Sequence, residues 1–148
     1  MLKENKGVTL VALVITIIVL LILAGVTLSM VMGDSGIFSK ANKASTDTAV
    51  SSARDAVRLA ALEVTTGSYD DNGTYSSTAY DSTITITDVA TAVQAINKQL
   101  EGTGEKYSLV ASGSSYKIQK DSKDVKDESG NAVTVTVEYT TNHAIVIK

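Results

Sequence analysis

The residues of this 148-residue chain best equipped for chemistry are two groups of acids, one histidine and six tyrosines. Asp70, Asp71 and Asn72 form the first acidic group, and Asp121, Asp124, Asp127 and Glu128 the second. Hard cations want several oxygens converging from a loop, so Asp70, Asp71, Asp121, Asp124 and Asp127 are the residues to weigh for calcium. Neither stretch has the complete EF-hand spacing. Solvated turn carboxylates are therefore expected, and no metal or cofactor is assigned. His143 has neither a cysteine nor a second histidine to work with, which excludes a zinc set and a nucleophilic triad. The chain reads as a non-enzyme, with His143 structural. Tyr69, Tyr75, Tyr80, Tyr107, Tyr116 and Tyr139 all fall beyond residue 68, where packing of a folded head is the expectation. Asn72-Gly73-Thr74 matches a glycosylation acceptor, a pattern that arises by chance in a threonine-rich chain.

The formal charge of −3 and pI near 5.1 argue against a nucleic-acid footprint, which needs lysines and arginines clustered on one face. With no cysteine, a small exported domain must gain its stability from packing or from neighbours in an assembly. With no proline, only glycines and polar clusters interrupt its helices.

These residues hang from one dominant element. Val8 to Met32 are 25 consecutive uncharged residues, 18 of them Val, Ile, Leu or Met. As a helix they span roughly 37 Å, more than the hydrocarbon thickness of a bilayer. The Val, Ile and Leu residues supply about −5 to −10 kcal/mol toward insertion. Lys3 and Lys6 at the extreme N-terminus favour an N-inside orientation, with the rest of the chain facing outward.

After Gly33-Asp34-Ser35-Gly36, apolar residues recur at helical spacing in Val50, Ala53, Val57, Ala60 and Val64. This predicts an amphipathic stalk helix over 34–66, which with the apolar segment forms one long helical run. Residues 67–148 form the head. Ser68 to Ser82 reads as a loop, Ile84 and Ile86 as a short strand, and 88–101 as a second helix capped by Asp88 or Thr87. Strands are expected at Tyr107–Ala111, Tyr116–Gln119, Ala132–Thr140 and His143–Ile147, giving an antiparallel meander covered by the stalk helix. The fold class is α+β.

The run Lys6-Gly7-Val8-Thr9-Leu10-Val11-Ala12-Leu13-Val14 resembles the prepilin cleavage and helix-start signature of type IV pilins. Gly33-Asp34-Ser35-Gly36-Ile37-Phe38 through Lys40-Ala41 resembles pilin-like proteins of Gram-positive anaerobes. The motif likeness covers about the first 45 residues; beyond them only architecture is shared. It implies residues 1–7 as a leader, cut by a prepilin peptidase between Gly7 and Val8, and methylation of the new Val8 amine. It implies 8–33 as a filament-core helix, including Thr9, Leu10, Ala12, Leu13 and Gly25, that leaves the cytoplasmic membrane through an assembly platform. The product is a homo-oligomeric extracellular filament. Two departures stand out. Ala12 occupies the place where the family usually carries a glutamate, so the Val8 amine lacks that carboxylate. No proline bends the helix, so Gly25 is the first candidate for local loosening and Gly33 to Gly36 the second, while Gly25 also suits close helix packing.

The expected function is thus a structural pilin subunit. The alternatives are a minor pilin or pseudopilin of a secretion or DNA-uptake system, an uncleaved signal-anchored surface binding protein, and a secreted protein cut near Ala24. Adhesion, motility, secretion and uptake are not distinguished by sequence.

Overall fold

The computed structural model describes residues 5–148, with side chains from Thr9 onward. The leader residues Met1 to Glu4, with Lys3, lie outside the described residues, and of Gly7 and Val8 only the backbone is described. By its contacts the chain divides between Ser45 and Thr46 into two compact units.

Helix α1 (Asn5–Met32) opens the first unit. It passes through Gly25 without interruption, and a Cβ built there would meet nothing within 4 Å. The break comes at Gly33 to Gly36. Gly33 N–H still donates to Ser29 O at 3.0 Å, Gly36 N–H closes a tighter turn onto Gly33 O at 2.7 Å, and Lys40 N–H restarts helical bonding on Gly36 O at 3.1 Å. A Cβ at Gly36 would stand 2.4 Å from the Val31 carbonyl oxygen, so this turn requires glycine for space. Helix α2 (Ile37–Gly67) follows.

In the second unit, the α2 stripe behaves as its spacing predicts: Ala53, Val57, Ala60 and Val64 are buried with Ala61, and Val50 packs against them. Helix α3 (Val89–Gly102) starts from a capping box. Asp88 Oδ1 accepts from Thr91 N–H, while Thr91 Oγ1 accepts from Asp88 N–H, satisfying two of the donors a helix start leaves open. It contributes Ala92, Val93, Ala95, Ile96 and Leu100 to the same core. Full burial of a residue such as Ile96 or Leu100 contributes about 1.5–3 kcal/mol.

The strands are β1 (Tyr107–Ser112), β2 (Ser115–Lys120), β3 (Lys123–Asp124), β4 (Thr134–Val135), β5 (Val137–Tyr139) and β6 (Ile145–Ile147). All pairings are antiparallel: β1 with β2, β2 with β3 and with β4, and separately β5 with β6. The fold is α+β, a long N-terminal helix packed on small antiparallel sheets, consistent with a pilin-like arrangement. The other edge of β1 is closed by a side chain. Asn97 of α3 donates from Nδ2 to Leu109 O at 3.0 Å and accepts Leu109 N–H on Oδ1 at 2.7 Å, doing for one residue what a neighbouring strand would do.

Four expectations are corrected. Thr83 to Thr87 form no strand, because Ile84 N–H turns back onto Asp81 O and Ile86 N–H bonds Ser77 O in the preceding loop. The run Ala132–Thr140 is split: β4 joins β2, while Thr136 exchanges both backbone bonds with Lys148 and passes the chain to the β5–β6 pair. The acidic stretch contains β3, made possible by a two-residue turn in which Asp121 and Ser122 both take positive φ, 50° and 64°, the mirror-image turn that suits hairpins. Finally, His143 does not begin the last strand. It occupies the left-handed position of the hairpin turn before β6, at φ 60°.

Candidate functional site

The largest functional feature is the surface of α1. Its large apolar residues from Leu10 to Met32 are 46–76% exposed, apart from the half-buried Val31 beside the glycine turn. Between Thr9 and Gly33 there is no charged side chain. Two of the hydroxyls on this surface are turned inward to the helix: Thr16 Oγ1 donates to Leu13 O at 2.8 Å, and Thr27 Oγ1 lies 2.9 and 3.0 Å from Leu23 O and Ala24 O. A threonine satisfied this way offers an apolar face to its surroundings. This helix is long and apolar enough to cross a membrane, and its described side chains are not covered by the chain itself. Thr9, Leu10, Ala12, Leu13 and Gly25 all sit on this one exposed rod.

The Gly7–Val8 bond lies in the first turns of α1. The first N–H groups of a helix have no partner within it, so opening this end costs less than opening the middle. No carboxylate stands at Ala12 or elsewhere in the apolar segment.

In the head, the structure gathers residues the sequence left scattered. The His143 and Tyr75 rings are stacked, with centroids 3.8 Å apart and planes 6° from parallel. Tyr69 meets Tyr75 edge-on at 5.6 Å and donates its hydroxyl to Asn142 O at 2.9 Å. Tyr75 Oη donates to Ile86 O at 2.9 Å and contacts Tyr139 Oη at 2.7 Å, which in turn contacts His143 Nδ1 at 3.0 Å. Burial, with the Tyr75 hydroxyl second, pushes the Tyr139 phenol well above its ordinary range. This cluster ties the Ser68–Ser82 loop to the last hairpin. Elsewhere the loop is held by Tyr80 Oη, which donates to Gln99 Oε1 at 2.6 Å, by the Gln99–Glu63 hydrogen bond, and by the Lys98–Asp81 ion pair. Lys98, then Thr83, holds the Asp81 carboxyl far below the usual carboxylate range.

Four of the five calcium candidates serve turns and pairs. Asp70 Oδ1 accepts Asn72 N–H at 2.9 Å and Thr74 N–H at 2.7 Å, and Asp127 Oδ1 accepts Ser129 and Asn131 N–H, both at 2.9 Å. Asp121 lies 3.6 Å from Lys106 Nζ. Asp124 accepts from Gln119 Nε2 at 2.8 Å and lies 3.5 Å from Lys117 Nζ; the Gln119 bond, first among the causes, lowers its pKa. Asp71 is exposed beside the first turn. Among the described residues no three His, Asp or Glu side chains converge on a point that could hold a metal. An open depression of about 470 Å³ between α2 and the sheet is lined by Ala49, Ser52, Ala56, Glu105, Tyr107, Lys120 and Val125. Its two charges face each other at 3.5 Å, with Lys120 Nζ 4.9 Å above the Tyr107 ring.

Compared with protein-family models, curated proteins and solved structures, the chain finds no match in any of the three.

Proposed function

We propose that this chain is a structural pilin subunit, made as a membrane-anchored precursor, cut after Gly7 and polymerised into a surface filament with its head outward. The observation that carries the reading is the charge-free, exposed surface of α1. Such a rod is unstable in water and requires a cover. Lipid supplies one, and equivalent helices of sister subunits supply another at similar solvation cost. The same helix can therefore serve first as an anchor and then as a filament core. The head shares one apolar core with the second half of α2, which joins it to the helix that would enter the filament.

Processing by a prepilin peptidase, methylation at Val8 and delivery through an assembly platform belong to the same proposal, resting on the Lys6 to Val14 motif. Ala12 favours a second placement, a minor pilin or pseudopilin, since a subunit without a carboxylate near its amine suits a rare position better than every position of a polymer. N-terminal sequencing of protein recovered from sheared filaments tests the main reading: a start at Val8 supports it, and a start at Met1 overturns it. Abundance in those filaments separates the major from the minor role.

A further inference from the structure

Immediately beyond the glycine turn, Ile37 and Phe38 open α2 with both side chains 72% exposed. Phe38, Ala41, Asn42 and Ser45 line a shallow depression on this first unit. At helical spacing Ile37, Phe38, Ala41 and Ser45 share one side, and Lys40 and Lys43 fall on the remaining surface. Between Ile37 and Ser45 the only charges are those two lysines, both positive. Phe38 is also the sole phenylalanine of the chain.

Length places this segment. A helix tilted by about 20° carries the 25 apolar residues from Val8 to Met32 through roughly 35 Å, a little more than the hydrocarbon layer. Met32 then emerges at the headgroup border, and Gly33 to Gly36 cross the headgroup layer, which is only about 5–8 Å thick. Ile37 and Phe38 stand at its outer side, with side chains that a helix tilts back toward its N-terminus and so toward the lipid. Exposed aromatic and aliphatic side chains with lysines at that depth match what the membrane interface selects. Each lysine near an anionic surface adds attraction that salt weakens.

We propose that the start of α2 is a membrane-surface contact of the precursor: the Ile37 and Phe38 side chains reach back into the headgroup layer of the outer leaflet, and Lys40 and Lys43 face the lipid phosphates from its aqueous side. This rests on the membrane-anchored reading above. It gives the glycine turn a purpose, because a break in helical bonding stands where the chain passes from hydrocarbon to the interface. It also fixes the depth at which the anchor rests before it leaves the membrane.

The chain has no tryptophan, so one introduced tryptophan reports its own surroundings. Full-length Phe38→Trp and, separately, Leu20→Trp are reconstituted in vesicles of phosphatidylcholine with phosphatidylglycerol, using lipids brominated near the headgroup or near the chain end. The Leu20→Trp fluorophore is expected to be quenched best by deep bromine. The Phe38→Trp fluorophore is expected to show blue-shifted emission, quenched best by shallow bromine. Adding Lys40→Gln and Lys43→Gln to Phe38→Trp should increase quenching by aqueous acrylamide. Deep quenching of Leu20→Trp with water-exposed Phe38→Trp overturns this contact and leaves the anchor intact. Water exposure of both overturns the anchor and the contact together. Protection of Phe38→Trp from bromine and acrylamide alike, lost on dilution with lipid, assigns the patch to a second copy of the chain and overturns the lipid contact.

Discussion

His143 lies flat on Tyr75, with ring centroids 3.8 Å apart and planes 6° from parallel, and it reaches that position by adopting a left-handed backbone at φ 60°. Non-glycine residues take this conformation uncommonly, histidine more readily than most. The contact offsets the conformational cost, since the ring stacks on Tyr75 and its Nδ1 meets Tyr139 Oη.

The network has four contacts, since Tyr139 Oη also lies 3.4 Å from Ile86 O, besides Tyr75 Oη to Ile86 O, Tyr75 Oη to Tyr139 Oη and Tyr139 Oη to His143 Nδ1, and the two phenols supply one proton each. A proton on Nδ1 satisfies the three shorter contacts, with Tyr75 donating to Ile86 O, Tyr139 to Tyr75 and Nδ1 to Tyr139. The nitrogen NMR signals of the full chain in detergent should show neutral His143 protonated at Nδ1; protonation at Nε2 would refute the network as drawn. His143→Phe should keep stacking but lose this bond, destabilising the hairpin by about 1 kcal/mol in denaturant melts.

Asp81 gives the head an acid-sensitive clasp. Its folded pKa is lowered, chiefly by Lys98, so its contribution is present above the unfolded value near 4 and is lost as pH falls through the folded value. Thermal melts of the full chain should therefore lose stability below about pH 4, and Asp81→Asn should be less stable at pH 7 but show a smaller acid-dependent loss. An unchanged pH profile in Asp81→Asn would remove Asp81 from the account.

Asn97 closes the edge of β1. Asn97→Ala leaves Leu109 N–H and C=O without their side-chain partners and is expected to cost about 1–3 kcal/mol in denaturant titrations. It should also promote self-association through the uncovered strand edge. Wild-type stability in the variant would show that water replaces the amide without cost.

The two glycines considered for helix loosening predict opposite outcomes. Gly25→Ala meets no neighbour and should raise helix stability by about 1 kcal/mol. Gly36→Ala drives a Cβ to 2.4 Å from the Val31 carbonyl, so the turn must open. Circular dichroism melts in detergent should show increased stability for the first and a changed, less stable junction for the second. Equal effects would mean that the turn is not sterically fixed.

Much of this architecture is legible in the chain because it depends on local order. The apolar run, the 3–4 spacing from Val50 to Val64, and the Asp88 cap announce themselves, since helices close their hydrogen bonds within a few residues. The alternation Val133, Val135, Val137 marks a buried face but cannot say which strand lies alongside, and the ladder changes partner at Thr136. Thr83 to Thr87 alternate just as well and form no strand, because their backbone groups meet Asp81 and Ser77 first.

By itself the sequence determined the long charge-free helix and the buried stripe from Val50 to Val64, because composition and period 3.6 suffice for these. The tertiary structure alone decided that His143 joins Tyr75 and Tyr139, that Asn97 seals β1, that Asp70 and Asp127 close turns, and that Asp121 and Asp124 meet lysines. Those partners lie far apart along the chain, and only packing of the loop, α3 and the two sheets brings donor to acceptor.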